Sequence, residues 1–435
     1  MSPDTMRRID RWVGRPLCFL LSLAARRHRG EQPRPRRLMF IALAELGALV
    51  LTCPAMREAR RRFPDAEHYF LTFAAGRQVL ELMGVPPGNI ITIRTDGLFR
   101  FAGGTLAAIW RCRRLGIDAS VNFEVYARFS TILAFLSGAR WRSGFHRFRE
   151  EGHYIGDLLT HRAVYSPHLH AASAYLGLVA ALSEPATDEP VPKSMLPDVR
   201  PMRFRFQPDP EELQALRQRL AAEGVPLDGS RKLILLNANA SDLIAQRRWP
   251  VERYAELATR LLRDPSVTLG LTGSPEERAQ AERLVRQIGS DRVVNLAGRT
   301  SLTGLLHLFC LADGLVTNDS GPAHFASATN IPTVVLYGPE TPRIFGPIGD
   351  RQRAIWLGLA CSPCVSVYNQ KKSVCGDNRC MTGIGVAQVL TALQAAMGAP
   401  RGGARAAAAP DADVGAGAPA AGDAAGPPDG RRAAS

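Results

Sequence analysis

The feature that most limits the fold of this chain is a recurrence of short apolar runs, four to seven residues long, separated by stretches of helical periodicity. In the first half they occupy residues 38–43 (LMFIAL), 68–73, 89–93 and 117–123. In the second half they occupy residues 232–236 (KLILL), 267–271 (VTLGL), 293–296, 314–317 and 333–336 (TVVL). Runs this short and this continuously apolar suit strands buried on both faces, and helices between them supply the crossovers that parallel pairing needs. The pattern predicts an α/β protein. At 435 residues the chain exceeds what one hydrophobic core organises, so the two series of runs read as two doubly wound domains.

The boundaries follow from composition. Residues 1–37 are a basic lead-in, 38–183 a first domain, 184–230 a connection that includes the proline-rich EPATDEPVPKSMLPDVRP, 231–397 a second domain, and 398–435 a tail of Ala, Gly, Pro and Asp with almost nothing to bury. The lead-in carries ten arginines against Asp4, Asp10 and Glu31, a large part of the overall charge of +14. Its arginines flank the apolar stretch 12–25 (WVGRPLCFLLSLAA), which Arg15 and Pro16 interrupt and which is too short to span a bilayer. A helix lying in a membrane interface is expected there, with a signal peptide and a plain buried helix as the alternatives. The flanking charge favours an anionic membrane surface over nucleic acid as the partner.

The chemistry concentrates at strand ends. In GLVTNDSGPAHFA a strand ends at Thr317 and a helix begins near Pro322, so Asp319 and Ser320 stand where helix caps stand and Gly321 permits close approach of a ligand. Unpaired N–H groups of a first helical turn suit a diphosphate, with His324 one turn further on. Arg247 and Arg248 in QRRWP offer guanidinium groups to phosphate. LTGSPEER places Gly273 and Glu277 at another strand end, where Glu277 can accept from a ribose hydroxyl or simply sit on a charged helix face. No G-x-G-x-x-G opens the first strand–helix loop, which argues against a dinucleotide-dependent oxidoreductase.

RRWP, TGSPEER, NLAGRTSL, TNDSGPAHFA, IPTVVLYGPETP and CSPC follow one another in an order and spacing that resemble glycosyltransferase family 9, the ADP-heptose:lipopolysaccharide heptosyltransferases, with the likeness running over residues 38–393. The resemblance implies a GT-B fold, two Rossmann-like domains facing across a cleft, with acceptor bound by the first and nucleotide sugar by the second. It implies an inverting, metal-independent transfer from an ADP-heptose-like donor to an anionic glycolipid acceptor at the cytoplasmic face of the inner membrane. By resemblance, Arg247 contacts phosphate, Glu277 contacts ribose or base, and Asp319, Ser320, Gly321 and His324 line the diphosphate site.

Attack by an acceptor hydroxyl needs a carboxylate to take its proton. The family's aspartate follows the glycine of the first strand–helix loop, and this chain has Ala48 there. Glu45, two residues before Gly47, is the leading substitute, and Glu124 in VNFEVYARFS is the second candidate. Arg57, Arg60 and Arg128 are candidate contacts to an anionic acceptor, against the plain readings of a solvated helix face and of an i,i+4 pair between Glu124 and Arg128. The loss of the aspartate keeps open a non-catalytic sugar-nucleotide or glycolipid-binding protein of the same fold. Cys361, Cys364, Cys375 and Cys380 have a spacing that can surround a structural zinc ion, with reduced thiols and a disulfide as alternatives.

Overall fold

The computed structural model describes residues 10–25, 32–43, 46–225, 227, 230–240, 242–369 and 371–399. Two six-stranded sheets organise them. The first comprises β1 (Arg37–Ile41), β2 (Glu67–Phe73), β3 (Ile90–Ile93), β4 (Ala119–Asn122), β5 (Trp141–Phe145) and β6 (His161–Ala163), in the order β3-β2-β1-β4-β5-β6. The second comprises β7 (Lys232–Asn237), β8 (Val267–Leu271), β9 (Val293–Asn295), β10 (Gly314–Asn318), β11 (Thr333–Tyr337) and β12 (Gln352–Trp356), in the order β12-β11-β10-β7-β8-β9. Every pairing is parallel. Both sheets therefore have the same doubly wound order. Their strand progression reverses between β1 and β4 and between β7 and β10, where a crevice opens beyond the carboxyl ends of the strands.

Burial on both faces explains the continuous apolar runs. In β1, Leu38 and Phe40 join one apolar layer while Met39 and Ile41 join the other. Around the first sheet lie α1 (Arg15–Ala24), α2 (Leu46–Val50), α3 (Cys53–Arg62), α4 (Leu98–Leu115), α5 (Arg128–Leu136) and α6 (Ala171–Leu182). Ala108 and Cys112 of α4 cover the Met39 layer with Leu133 and Ala134 of α5, while α3 and α6 cover the Phe40 layer. A connecting helix, α7 (Pro210–Ala222), starts where the Asp209 carboxylate accepts the Glu211 N–H at 2.9 Å. Around the second sheet, α8 (Val251–Leu261), α9 (Gly321–Ser327) and α10 (Val386–Gly398) complete the elements that shape the site. Trp249 and Tyr254 are fully buried beneath β7 and β10, in a layer shared with Ile234, Leu236 and Val316.

Three strands depart from expectation. Residues 140–153 (RWRSGFHRFREEGH) read as polar, yet WRSGF forms β5 with Arg142 buried in it. The Arg142 guanidinium donates to the carbonyls of Ala139, Arg140 and Leu158, so hydrogen bonds replace its water. Burial lowers its pKa to about 10. β6 is equally polar in sequence, and β12 is a half-exposed edge strand.

The apolar stretch near the amino terminus folds back on the first sheet's helical layer. A π-turn at Asp10–Gly14 leads into α1, whose inner face packs Leu17, Cys18 and Leu21 against Ile132, Phe135, Leu136 and Leu158. Asp10 anchors it by accepting from Arg128 Nη1 at 2.8 Å and from the Phe129 N–H at 3.1 Å. Among the described residues no helix is long and apolar enough to cross a membrane.

His161 in β6 is fully buried, with Nδ1 2.9 Å from Thr160 Oγ1 and Nε2 3.1 Å from the Glu184 carbonyl. Burial depresses its pKa from 6.5 to about 4. The unfolded chain therefore binds a proton that the folded chain refuses between those values. Stability present above pH 6.5 should fall on acidification towards pH 4, by up to about 1.4 kcal/mol per pH unit from this residue. Urea unfolding of the wild type and His161→Gln at pH 7.5 and 5 measures it, and the variant should show the shallower pH dependence.

Candidate functional site

At the switch point of the second sheet the last residue of β10, Asn318, ties the strand ends together. Its Oδ1 accepts from the Trp249 N–H at 3.1 Å and from Tyr254 OH at 3.2 Å, and its Nδ2 donates to the Asn239 carbonyl at 3.2 Å. The next residue, Asp319, is buried and its carboxylate lies 3.4 Å from Arg247 Nε. Arg247 Nη2 also meets Glu340 Oε2 at 2.7 Å. One guanidinium thus sits between two buried carboxylates, and in such surroundings charge is tolerable only with fixed partners. Tyr337 OH and Glu340 Oε1 are buried beside this cluster without a hydrogen-bond partner among the described residues. Burial and the Asp319 and Glu340 carboxylates raise the Tyr337 pKa well above its ordinary value, so it is a neutral phenol. Glu340 escaped sequence reading, although GPETP at the end of a buried strand offered the signal.

The helix start is built differently from the expectation. Ser320 occupies the N-cap position of α9, but no side chain caps the helix there. Instead, Ser320 Oγ donates to the Asn318 carbonyl at 3.2 Å. Arg248 turns to the Ala240 carbonyl through Nε and Nη2, at 3.0 and 2.7 Å. Glu277 Oε2 accepts from the Ser274 N–H at 2.7 Å, and an added Cβ on Gly273 would lie 2.9 Å from the same oxygen. Arg247, Asp319 and Glu340 therefore form one cluster, whereas Arg248, Gly273 and Glu277 shape the flanking loops.

At the first sheet's switch point the Glu124 carboxylate accepts from the Leu43 N–H at 2.7 Å, bridging the β4 end to the loop after β1. It does not pair with Arg128, which is buried between Asp10 and the Tyr154 carbonyl. Those bonds leave Arg128 as a structural anchor rather than an acceptor contact. Glu45 lies outside the described residues. Arg57 and Arg60 are exposed on α3. On the same helix Glu58, unnoticed in sequence, is buried between Arg61 and Arg62 at 2.7 and 2.6 Å.

The two switch points meet. An added Cβ on Gly47 in α2 would lie 2.6 Å from His324 Cδ2 and 3.2 Å from Gly321 Cα, so α2 rests directly on the first turn of α9. His170 adds a second link between the lobes, with Nε2 2.8 Å from the Gly346 carbonyl while Nδ1 accepts from the Ala172 N–H at 3.2 Å. Tyr126 and Tyr165 of the first lobe complete the contact around Tyr368, with ring centroids 6.2 and 6.0 Å from it. Tyr368 belongs to the loop that carries the cysteine cluster. Cys361, Cys364, Cys375 and Cys380 are free thiols, and among the described residues no group of three or more His, Cys, Asp or Glu is arranged to hold a metal ion.

Two doubly wound sheets whose switch points face each other, one of them lined by a buried arginine and two carboxylates, have the GT-B architecture. The chain belongs to glycosyltransferase family 9 (heptosyltransferase), whose family model matches residues 129–374, more than half of the chain. It is 36% identical over 114 residues to lipopolysaccharide heptosyltransferase 2 of Escherichia coli, covering 26% of this chain and 32% of that protein. The match thus spans about a third of the length of that curated relative. A longer match, 22% identical over 324 residues, covers 74% of this chain and 84% of the lipopolysaccharide core heptosyltransferase OpsX of Haemophilus influenzae. The fold is similar to that of the solved E. coli ADP-heptose lipopolysaccharide heptosyltransferase II, with a TM-score of 0.62 and 22% identity over 83% of this chain and 98% of that one.

Replacing Arg247 with Met should leave Asp319 and Glu340 facing each other and cost about 3–5 kcal/mol at neutral pH. Urea unfolding of the wild type and Arg247→Met at pH 7.5 checks this, and a deficit below about 1 kcal/mol would show that charge compensation is not what Arg247 supplies. Gly47→Ala should lower the thermal midpoint by several degrees, because the His324 ring and the α9 backbone both block the new methyl group. Differential scanning fluorimetry reads it.

Proposed function

We propose that this chain is an inverting, metal-independent glycosyltransferase that moves a heptose-like sugar from an ADP-heptose-like donor to a hydroxyl of a lipopolysaccharide or lipid-linked saccharide. The carrying observation is the Arg247–Asp319–Glu340 cluster at the second switch point of a family 9 chain, where the neighbouring first turn of α9 meets α2 of the first lobe. Carboxylates held by a cation are rigid hydrogen-bond acceptors for sugar hydroxyls. The amide groups of the first turn of α9 add donors on the same side. The names of its relatives, with lipopolysaccharide heptosyltransferases among them, support the donor and acceptor classes.

On the acceptor side, Glu45 serves as the base in place of the aspartate that Ala48 has replaced. Glu124 is a positioning residue, because its bond to the Leu43 N–H ties down the loop two residues before Glu45. The protein works at the cytoplasmic face of the membrane, where a lipid-anchored acceptor is presented. A non-catalytic sugar-nucleotide or glycolipid-binding protein is the second reading, and Ala48 is the observation in its favour.

Thermal shift with a series of nucleotide sugars should single out an ADP-sugar, and Asp319→Asn should abolish that stabilisation. Transfer of labelled sugar to a lipid A-core acceptor should then be lost in Glu45→Gln with donor stabilisation retained. Donor binding without transfer in the wild type would favour the non-catalytic reading, and full transfer by Glu45→Gln would remove Glu45 as the base.

A further inference from the structure

The first lobe carries two helices that are apolar on both faces. In α1 and the turn before it, Leu17, Cys18 and Leu21 are directed inward, yet Trp12, Phe19, Leu20 and Leu23 form an opposite stripe open to solvent, with Trp12 77% and Leu23 75% exposed. In α4, Phe101, Ala108 and Cys112 face the sheet, whereas Phe99, Leu106 and Trp110 lie on the outer side, with Phe99 92% and Trp110 61% exposed. A helix apolar all round is ordinarily enclosed, so each outer stripe calls for a second apolar phase.

Both stripes belong to one layer. α5 lies between the two helices, meeting α1 through Ile132 and Phe135 and meeting α4 through the Phe101–Phe129 ring contact, 5.1 Å between centroids. Arg113 Nε of α4 donates to the Leu136 carbonyl at the end of α5, at 2.7 Å, which closes the layer at its other end. Its charge is predominantly basic. α4 contains four arginines and no acidic residue, with Arg100 paired at 2.6 Å to Asp96 just before the helix, and its Arg114 stacks over Trp110 at 5.1 Å. Beside α1, Arg11 and Arg15 are exposed while the nearby acid, Asp10, is turned inward to Arg128.

We infer that this α1–α4 face docks on an anionic lipid bilayer, with Trp12, Phe19, Leu20, Leu23, Phe99 and Trp110 entering the interface and the arginines meeting headgroup phosphates. The inference rests on the proposed lipid-anchored acceptor and assigns the surface that brings the protein to it. Indole rings beside guanidinium groups match the chemistry of the interface, where the ring sits among acyl carbons and the charge reaches outward. A second copy of this chain fits less well. Two-fold pairing would set the same arginine-rich rim against itself.

Flotation of the full chain with acceptor-free vesicles tests it. Vesicles of phosphatidylethanolamine with 30% phosphatidylglycerol should carry most of the protein upward, and pure phosphatidylcholine vesicles at least tenfold less. Leu20→Glu/Leu23→Glu and Phe99→Glu/Trp110→Glu should each reduce the anionic-vesicle fraction at least tenfold while retaining the wild-type circular dichroism and donor thermal shift. Equal flotation of wild type and both variants would overturn the inference. So would absence of wild-type flotation, or a wild-type dimer by light scattering that both variants convert to monomer. The vesicles contain no acceptor and the readout is not transfer, so failure here leaves the transferase reading standing, and failure of transfer leaves this surface standing.

Discussion

The two switch points are brought together by a close approach, the α2 backbone at Gly47 resting on the first turn of α9. A side chain there would strike His324 and Gly321. The approach joins the carboxyl end of β1 to that of β10, and these are the switch-point strands of the two sheets. The apolar core follows the same path, because Phe40 and Leu49 of the first lobe share a continuous cluster with Phe325, Ala326 and Leu315 of the second. A donor bound at α9 would thus lie within reach of the loop after β1 only while this contact, or one like it, persists. Glycine at 47 is therefore a requirement of the assembled site as much as of the local turn.

Within the second lobe the dominant constraint is electrostatic. Two carboxylates around one guanidinium leave a buried excess of negative charge, which is a poor seat for a diphosphate taken alone. It is a good seat for the hydroxyl groups of a sugar. The proposed donor would divide accordingly, with its sugar at Asp319 and Glu340 and its phosphates at the α9 amides. Ser320 leaves the helix start uncapped by any side chain, so its N–H groups keep their capacity for an anion.

Much of the fold was legible because buried parallel strands are apolar on both faces. Runs such as TVVL and VTLGL fall within β11 and β8. β5 and β6 were not legible, since Arg142 and His161 satisfy their polarity through the Leu158 and Glu184 carbonyls, distant in sequence, and through the neighbouring Thr160 hydroxyl. Much of the candidate site was visible for a related reason: arginine, aspartate and glycine at strand ends stand out against apolar neighbours. What sequence could not supply was pairing. Arg247 and Arg248 look equivalent in QRRWP, but one joins the buried cluster and the other caps the Ala240 carbonyl. Likewise Glu124 and Arg128 suggest a helical pair, yet α5 begins only at Arg128, so Glu124 sits before the helix and turns to Leu43 instead.

That turn bears on the chemistry of the first lobe. A carboxylate that accepts a backbone N–H at 2.7 Å has an oxygen committed to the segment it holds, which suits Glu124 to positioning in the proposed transfer. Asp319 is held by Arg247 and belongs to the donor side. Ala48 has no proton-accepting group at all. The proposed transfer asks for a carboxylate near the segment that Glu124 secures, and the sequence between Leu43 and Gly47 contains one, Glu45. In sequence the acid moves from one side of Gly47 to the other, and the bond from Glu124 restrains Leu43, two residues before it, which is the kind of restraint the proposed base would need.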